Sequence, residues 1–220
     1  MKLPNKLHQI WEYTSSNSIY FLAAALLLFL IVPPFLENEY AFRNSILVLT
    51  TIIVGFVILI LPSKNKNQPV IRGIMAILIL FPWLMDQYIE LKVIVLFALA
   101  LLYSLTSWRI ILIVFDEEKV DLKVIVGSVV GYLMIGLSFT FVCALLELFY
   151  PNAFTDQMTS SYSFIYYTFV TLSTLGYGDI VPATPQSQAL SLIIAIFGQF
   201  YMVIVVAVIV GKYISGRKPA

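Results

Sequence analysis

The chain has 220 residues, of which 60% are hydrophobic and only 11% charged, with a mean hydropathy of +0.94. That balance is far from a soluble domain's and reads as a membrane protein. A formal net charge of +1 with scattered bases offers no continuous basic stripe, which sets nucleic acid aside as a partner. One thiol, Cys143, closes no intrachain disulfide, and His8, the single histidine, is too remote from it in sequence to suggest a metal cluster.

The first segment, 1–18, reads MKLPNKLHQIWEYTSSNS, basic but too polar for a cleaved signal peptide. Leu7, Ile10 and Trp11 share one helical face with Lys6, Gln9 and Glu12 off it, so the segment is either a short helix resting in the membrane interface or a frayed cytoplasmic terminus. Apolar runs then fall at Ile19–Leu36, Ser45–Pro62, Val70–Met85, Leu91–Phe115, Val124–Tyr150 and Gln188–Tyr213. Each is long enough, or nearly so, to cross about 30 Å of hydrocarbon. The expected fold is therefore an all-α integral membrane protein with six transmembrane helices, the third short and kinked at Pro82.

Charge placement agrees with that count. With six spans, Lys2, Lys6, Lys64, Lys66, Arg72, Lys119, Lys123, Lys212, Arg217 and Lys218 all fall on one side, which the positive-inside rule makes cytoplasmic. The opposite loops hold Glu37, Glu39, Asp86, Glu90, Asp156 and Asp179, with Arg43 and Lys92 among them. Both termini are then expected on the cytoplasmic side of the cytoplasmic membrane, with 214–220 a short cytoplasmic tail without a nucleotide-regulated domain.

Residues 19–115 form the expected four-helix bundle. A voltage sensor needs several bases at every third position of one span, because each charge crossing the field contributes only about 2.3 kcal/mol per 100 mV. Apart from Lys92 at its outer end, Arg109 is the single base of the fourth span, and it is expected to snorkel to the inner headgroups. The bundle is thus expected to be sensor-shaped or a scaffold, with weak or no voltage dependence. The linker 116–123, DEEKVDLK, either lies along the inner interface or is a solvated connection.

Between the last two spans lies SSYSFIYYTFVTLSTLGYGDIVP, neither a soluble loop nor a full span. Ser160 or Ser161 can cap a helix running to about Ser173, half a bilayer long, and Gly176 and Gly178 then stop regular helix. Non-helical backbone at such depth is tolerated only where protein shields it or it lines a wet cavity. Glycines alternating with larger residues let the chain alternate left- and right-handed dihedrals and aim successive carbonyls at one side. Rings of such oxygens replace the water shell of a desolvated cation without a fixed negative charge. The C-terminal end of the half-length helix adds a partial negative charge of the same sense.

Thr174-Leu175-Gly176-Tyr177-Gly178-Asp179 strongly resembles the selectivity-filter signature of potassium channels. Its fixed letters arise by chance in roughly one chain in ten thousand of this length, so the match is specific. The resemblance covers the pore module, 124–213, and extends more loosely to the small bacterial six-helix members of the superfamily. It implies an outer helix, a re-entrant pore helix, a filter and an inner helix assembled as a homotetramer. K+ would be held by the carbonyls of Thr174, Leu175, Gly176 and Tyr177 and by the Thr174 hydroxyl, with Gly178 completing the filter and Asp179 at the outer mouth. Tyr177 would point away from the axis, supported by Tyr166 and Tyr167 where many relatives have tryptophans. Val170 stands where some relatives carry a glutamate bonded to the filter aspartate, which valine cannot imitate.

In the last span, Gly198 falls where family members place a gating hinge, although glycine there equally allows close helix packing. Gln199, Met202, Val206 and Val210 follow at helical spacing and would line the cavity and its inner mouth. The expected protein is a potassium-selective channel in contact with membrane lipids, with no cofactor beyond K+ in the filter. A non-selective monovalent cation channel of the same fold is the alternative. An intramembrane enzyme would need paired acids, a histidine set or an activated serine inside the spans, and the sequence offers none.

Overall fold

A computed structural model of the chain describes residues 5–60, 89–117, 120–155 and 160–215. The span expected at 70–85 lies outside the described residues. The described part is helical, and the chain divides into two compact units, 1–82 and 83–220. Among the described residues, four stretches are long and apolar enough to cross a membrane: Asn17–Phe35, Leu91–Asp116, Leu122–Phe149 and Pro185–Ser215, with a shorter apolar stretch at Asn44–Val57.

The first unit holds α1 (Asn5–Ile31) and α2 (Glu39–Ile60). No glycine or proline interrupts Asn5–Ile31, so α1 runs unbroken from the amphipathic N-terminal turns into the apolar ones rather than forming a separate interfacial helix. It ends before Pro33 and Pro34, whose rings remove two donors, and the chain tightens into a 3-10 turn at Pro33–Phe35. Leu22, Ala25, Leu26 and Phe29 are buried at helical spacing, as are Thr50, Ile53, Val54 and Val57 on α2. Phe21 stacks on Phe56 with ring centroids 5.8 Å apart. The Thr50 and Thr51 hydroxyls donate to the carbonyls of Ile46 and Leu47 at 2.7 and 2.9 Å, which leaves neither exposed to hydrocarbon unbonded.

The second unit holds α3 (Ile89–Asp116), α4 (Leu122–Phe149), α5 (Ser161–Leu172) and α6 (Pro185–Ser215). The connection between α3 and α4 is short, and Asp121 ends it by accepting the Val124 N–H at 3.0 Å, capping α4. So short a connection folds α3 back on α4 of the same chain. Val95, Leu99, Tyr103, Thr106, Ile110 and Val114 are buried on α3 at spacings of three and four residues. Serines rivet the pair: Ser138 donates to the Ala100 carbonyl at 2.9 Å, Ser104 and Ser138 hydroxyls meet at 2.6 Å, and Ser107 donates to the Gly131 carbonyl at 2.8 Å. In an apolar medium such interhelical bonds contribute about 0.6 kcal/mol each. The outer face of α3 presents Phe97, Leu101, Leu105, Trp108 and Leu112, apolar like the inner face, as on a helix surrounded by lipid. Arg109 is exposed on that face.

α6 buries only a narrow stripe, Ser187, Ile194, Gly198, Tyr201 and Val205. Tyr201 crosses to α4, its hydroxyl donating to the Ser128 carbonyl and its ring tilted against Tyr132 at 5.5 Å between centroids. The rest of α6 leaves Leu192, Ile196, Phe200, Val203 and Ile204 exposed on the single chain.

Candidate functional site

Ser160 has extended backbone, and its hydroxyl accepts the Ser163 N–H at 3.3 Å, so it is the N-cap of α5. Two glycines seat the helix. A Cβ on Gly136 of α4 would lie 2.5 Å from the Phe169 ring, and a Cβ on Gly198 of α6 would lie 1.9 Å from the Leu172 carbonyl oxygen. Of the two sequence expectations for Gly198, close packing is therefore what the static structure exhibits, and its partner is the end of α5. Between these contacts Tyr167 and Leu172 are buried with Cys143, Phe154 and Ile194. The Thr168 hydroxyl meets Cys143 Sγ at 3.7 Å, which places the single thiol as a small buried packing group.

After Leu172 the chain leaves helical geometry. Backbone φ is +60° at Thr174, +58° at Gly176 and +79° at Gly178, alternating with residues that keep negative φ. Glycine takes such values freely, whereas a β-branched threonine there costs about 1–3 kcal/mol. The amides of the turn fold back onto α5. Ser173 N–H reaches the Phe169 carbonyl at 3.0 Å, Thr174 N–H reaches Thr171 at 3.0 Å, and those of Leu175 and Gly176 share the Val170 carbonyl at 3.0 and 3.3 Å. Val170 thus serves the turn through its backbone. Among the described residues no donor meets the carbonyls of Thr174, Leu175, Gly176 or Tyr177. With the N–H groups of Thr174, Leu175 and Gly176 bonded on the α5 side, these oxygens are left to whatever lies opposite.

The far end of the turn is braced separately. Thr155 N–H donates to the Val181 carbonyl at 3.0 Å, Ala183 N–H to Ala153 at 2.8 Å, and Val181 N–H to Thr155 Oγ1 at 3.2 Å. Glu147 in turn accepts the N–H groups of Asn152 and Phe154 at 2.7 and 3.3 Å, fixing the chain before α5.

Side chains of the site fall into two pairs. The Tyr166 hydroxyl donates to Asp179 Oδ2 at 2.6 Å, and Gln199 Nε2 donates to Thr174 Oγ1 at 3.1 Å. Tyr167 is hydrogen-bonded to the Ser191 hydroxyl of α6, so neither the Tyr166 nor the Tyr167 hydroxyl is spent on Tyr177, which is exposed on the single chain. Met202, Val206 and Val210 are exposed one to three turns beyond Gln199 on the same side of α6.

The Tyr166 hydrogen bond holds the Asp179 carboxyl below its ordinary value. Because the folded value is depressed, the stabilisation from this pair is present above the ordinary carboxylate range and fades as pH falls through the lowered value. Tyr166→Phe is expected to remove it: thermal midpoints of the two proteins should differ at neutral pH and converge once the wild-type Asp179 is protonated. Midpoints that differ equally at all pH values would assign the loss to packing instead.

At the opposite end of α6, Lys212 Nζ donates to the carbonyls of Val114, Phe115 and Glu117 at 3.2, 2.6 and 2.6 Å. These lie at the C-terminus of α3, where aligned peptide dipoles leave unsatisfied, partially negative oxygens. The ammonium serves them as a cap supplied from another helix.

An ion-channel family model matches residues 124–215, which covers α4, α5, the turn and α6. A-type voltage-gated potassium channel KCND3 of Rattus norvegicus and that of Homo sapiens are each 31% identical over 89 residues, 40% of this chain and 14% of the relative. Residues 124–215 match an ion-channel domain. The chain thus aligns with about a seventh of the length of these curated relatives. No solved structure matches the chain.

Within the ion-channel domain, sequence reasoning named the turn and Gln199 but not the bond between Gln199 and Thr174, nor the use of Tyr166 on Asp179. It missed Gly136 and Ser191 outright, and it named Lys212 only as a base on the cytoplasmic side. Gly136 had no local signal, since a glycine in an apolar helix is informative only once its neighbour is known. Lys212 had one: a lone base in the last turns of an apolar helix has to find either headgroups or a helix C-terminus.

Proposed function

We propose that the protein is a potassium-selective channel of the cytoplasmic membrane, in which four copies bring their turns Thr174–Gly178 around one axis. The observation that carries this reading is the alternation of positive φ at Thr174, Gly176 and Gly178, with the amides of Thr174, Leu175 and Gly176 spent on α5. A run of carbonyls without internal donors is a ligand row for a dehydrated cation, and several copies are needed to close each ring. Exposure of Leu175 and Tyr177, and of most of α6, on the isolated chain supports assembly with further copies. Asp179 at the rim concentrates cations at the mouth. The ions move passively down their electrochemical gradient and no reaction is catalysed.

Both termini lie in the cytoplasm in this reading, and voltage has little hold on the gate. Along α3 the bases are Lys92 and Arg109, far apart and near opposite ends, which gives no array to move through the field. The names of the relatives describe voltage gating in those proteins, of whose length this chain matches 14%.

The test is flux from potassium-loaded liposomes. Wild type is expected to pass K+ far faster than Na+, and Gly176→Ala to lose that preference, because an alanine at φ +58° is strained by about 1–2 kcal/mol in every copy. Equal K+ and Na+ fluxes through the wild type would favour the non-selective cation channel of the same fold.

A further inference from the structure

Gln199 occupies a position dictated by its neighbour. Gly198 has no Cβ, and this lets α6 press against the Leu172 carbonyl at the end of α5. The next residue of α6 is thereby carried to the turn that begins at Ser173. There Gln199 Nε2 donates to Thr174 Oγ1 at 3.1 Å. Thr174 is the described residue least suited to its own backbone, a β-branched side chain at φ +60°. No local feature of the sequence explains that conformation, and the hydrogen bond from α6 is the tertiary contact its side chain makes.

The direction of the bond has a chemical consequence. A hydroxyl has one proton and two lone pairs. With an amide N–H on one lone pair, the Thr174 hydroxyl proton is turned away from Gln199, and the oxygen keeps its second lone pair for a ligand beside it. An amide at this point also stays neutral at every pH, so it orients the oxygen without adding a charge that would trap a cation.

We propose that Gln199 is a positioning residue that sets the innermost cation site of the turn, by holding the Thr174 hydroxyl oxygen as an acceptor for a dehydrated cation of potassium's size. This rests on the reading of Thr174–Gly178 as a selectivity filter. Gln199 itself touches no ion. Its effect is confined to the site that contains Thr174, and the amides of Leu175 and Gly176 stay tied to α5 through the Val170 carbonyl.

Detergent-solubilised full-length protein provides a test that does not depend on an open gate, because a cation that binds the folded state raises the thermal midpoint in proportion to its affinity. Midpoints are measured against K+, Na+ and Ba2+. Ba2+ has nearly the radius of K+ and twice its charge, and so reports most strongly on the oxygens that hold it. Wild type is expected to be stabilised by K+ and Ba2+ and not by Na+. Gln199→Leu is expected to weaken Ba2+ stabilisation about tenfold in concentration, the effect of one lost hydrogen bond repeated around the ring, while K+ remains preferred over Na+. Gln199→Asn, whose amide falls one methylene short, is expected to behave likewise and serves if the leucine variant does not fold.

The same substitution on a Thr174→Ala background separates positioning from a merely structural role. With the partner oxygen gone, Gln199→Leu is expected to cause no further change in Ba2+ affinity. Equal losses in both backgrounds, or unchanged Ba2+ affinity in Gln199→Leu and Gln199→Asn with a K+-selective wild type, would overturn the positioning role and leave the filter reading standing. A wild type stabilised equally by Na+ and K+ would overturn the filter reading itself, and the positioning role with it.

Discussion

Gly198→Ala is expected to cost the protein its assembled α5 and with it any K+ flux. The added Cβ would sit 1.9 Å from the Leu172 carbonyl oxygen and 2.9 Å from its carbonyl carbon, so the obstacle is backbone and has no rotamer to escape into. Overpacking a close-packed interior costs about 1–3 kcal/mol even where side chains can yield, and a helix end has to shift here. Moving α6 away by the missing distance would also break Gln199 from Thr174 and Ser191 from Tyr167, both of which depend on the same approach. The measurement is the fraction of purified protein that runs as a monodisperse species, together with its thermal midpoint. A well-folded variant with normal stability and altered open probability would instead support glycine as a hinge. Gly136→Leu acts from the other side of α5 on the Phe169 ring and should resemble Gly198→Ala in kind.

Lys212→Met is expected to lower the thermal midpoint by several degrees and to free the lower end of α6. Three carbonyls at the end of α3 would lose their donor, and methionine keeps the length and apolar stem of lysine without the charge. A cation at a helix C-terminus contributes about 0.3–1 kcal/mol when exposed and up to about 2 when partly buried. Lys212 is half-buried, which places it towards the upper part of that range. For a chain of this size each kilocalorie is about 2–4 °C. Lys212→Arg should recover most of the loss, since a guanidinium can still donate several bonds. The bond joins the end of α6 to the end of α3 of the same chain, so hydrogen exchange at residues 205–215 is expected to rise in Lys212→Met while that of α5 is unaffected. Unchanged exchange there would reduce Lys212 to a surface charge.

Much of this molecule is readable from one-dimensional patterns. Apolar runs located the helices Ile89–Asp116, Leu122–Phe149 and Pro185–Ser215 to within three residues at each end and Glu39–Ile60 to within six, because a segment that must satisfy its backbone in hydrocarbon has almost no alternative to helix. The half-length helix after Ser160 was legible from a capping serine and from glycines that end it. The left-handed residues Gly176 and Gly178 were legible because glycine is the residue that adopts positive φ without strain. Thr174 at φ +60° was not, since its side chain argues against that conformation and only its surroundings impose it.

By itself, then, the sequence determined which stretches are apolar helix and where regular helix must stop, since both follow from hydropathy and local backbone preference. It also carried the order of residues in Thr174–Asp179. Tertiary structure alone decided that Gly136 and Gly198 are the seats of α5, that Tyr166 serves Asp179 and Tyr167 serves Ser191, and that Gln199 and Lys212 each donate across helices. These are contacts between residues from 13 to 98 positions apart. Local propensity says nothing about which face of one helix meets which end of another, and in a chain apolar on nearly every face the hydrophobic pattern does not choose one either. Close approach at two glycines and a few directed hydrogen bonds made that choice.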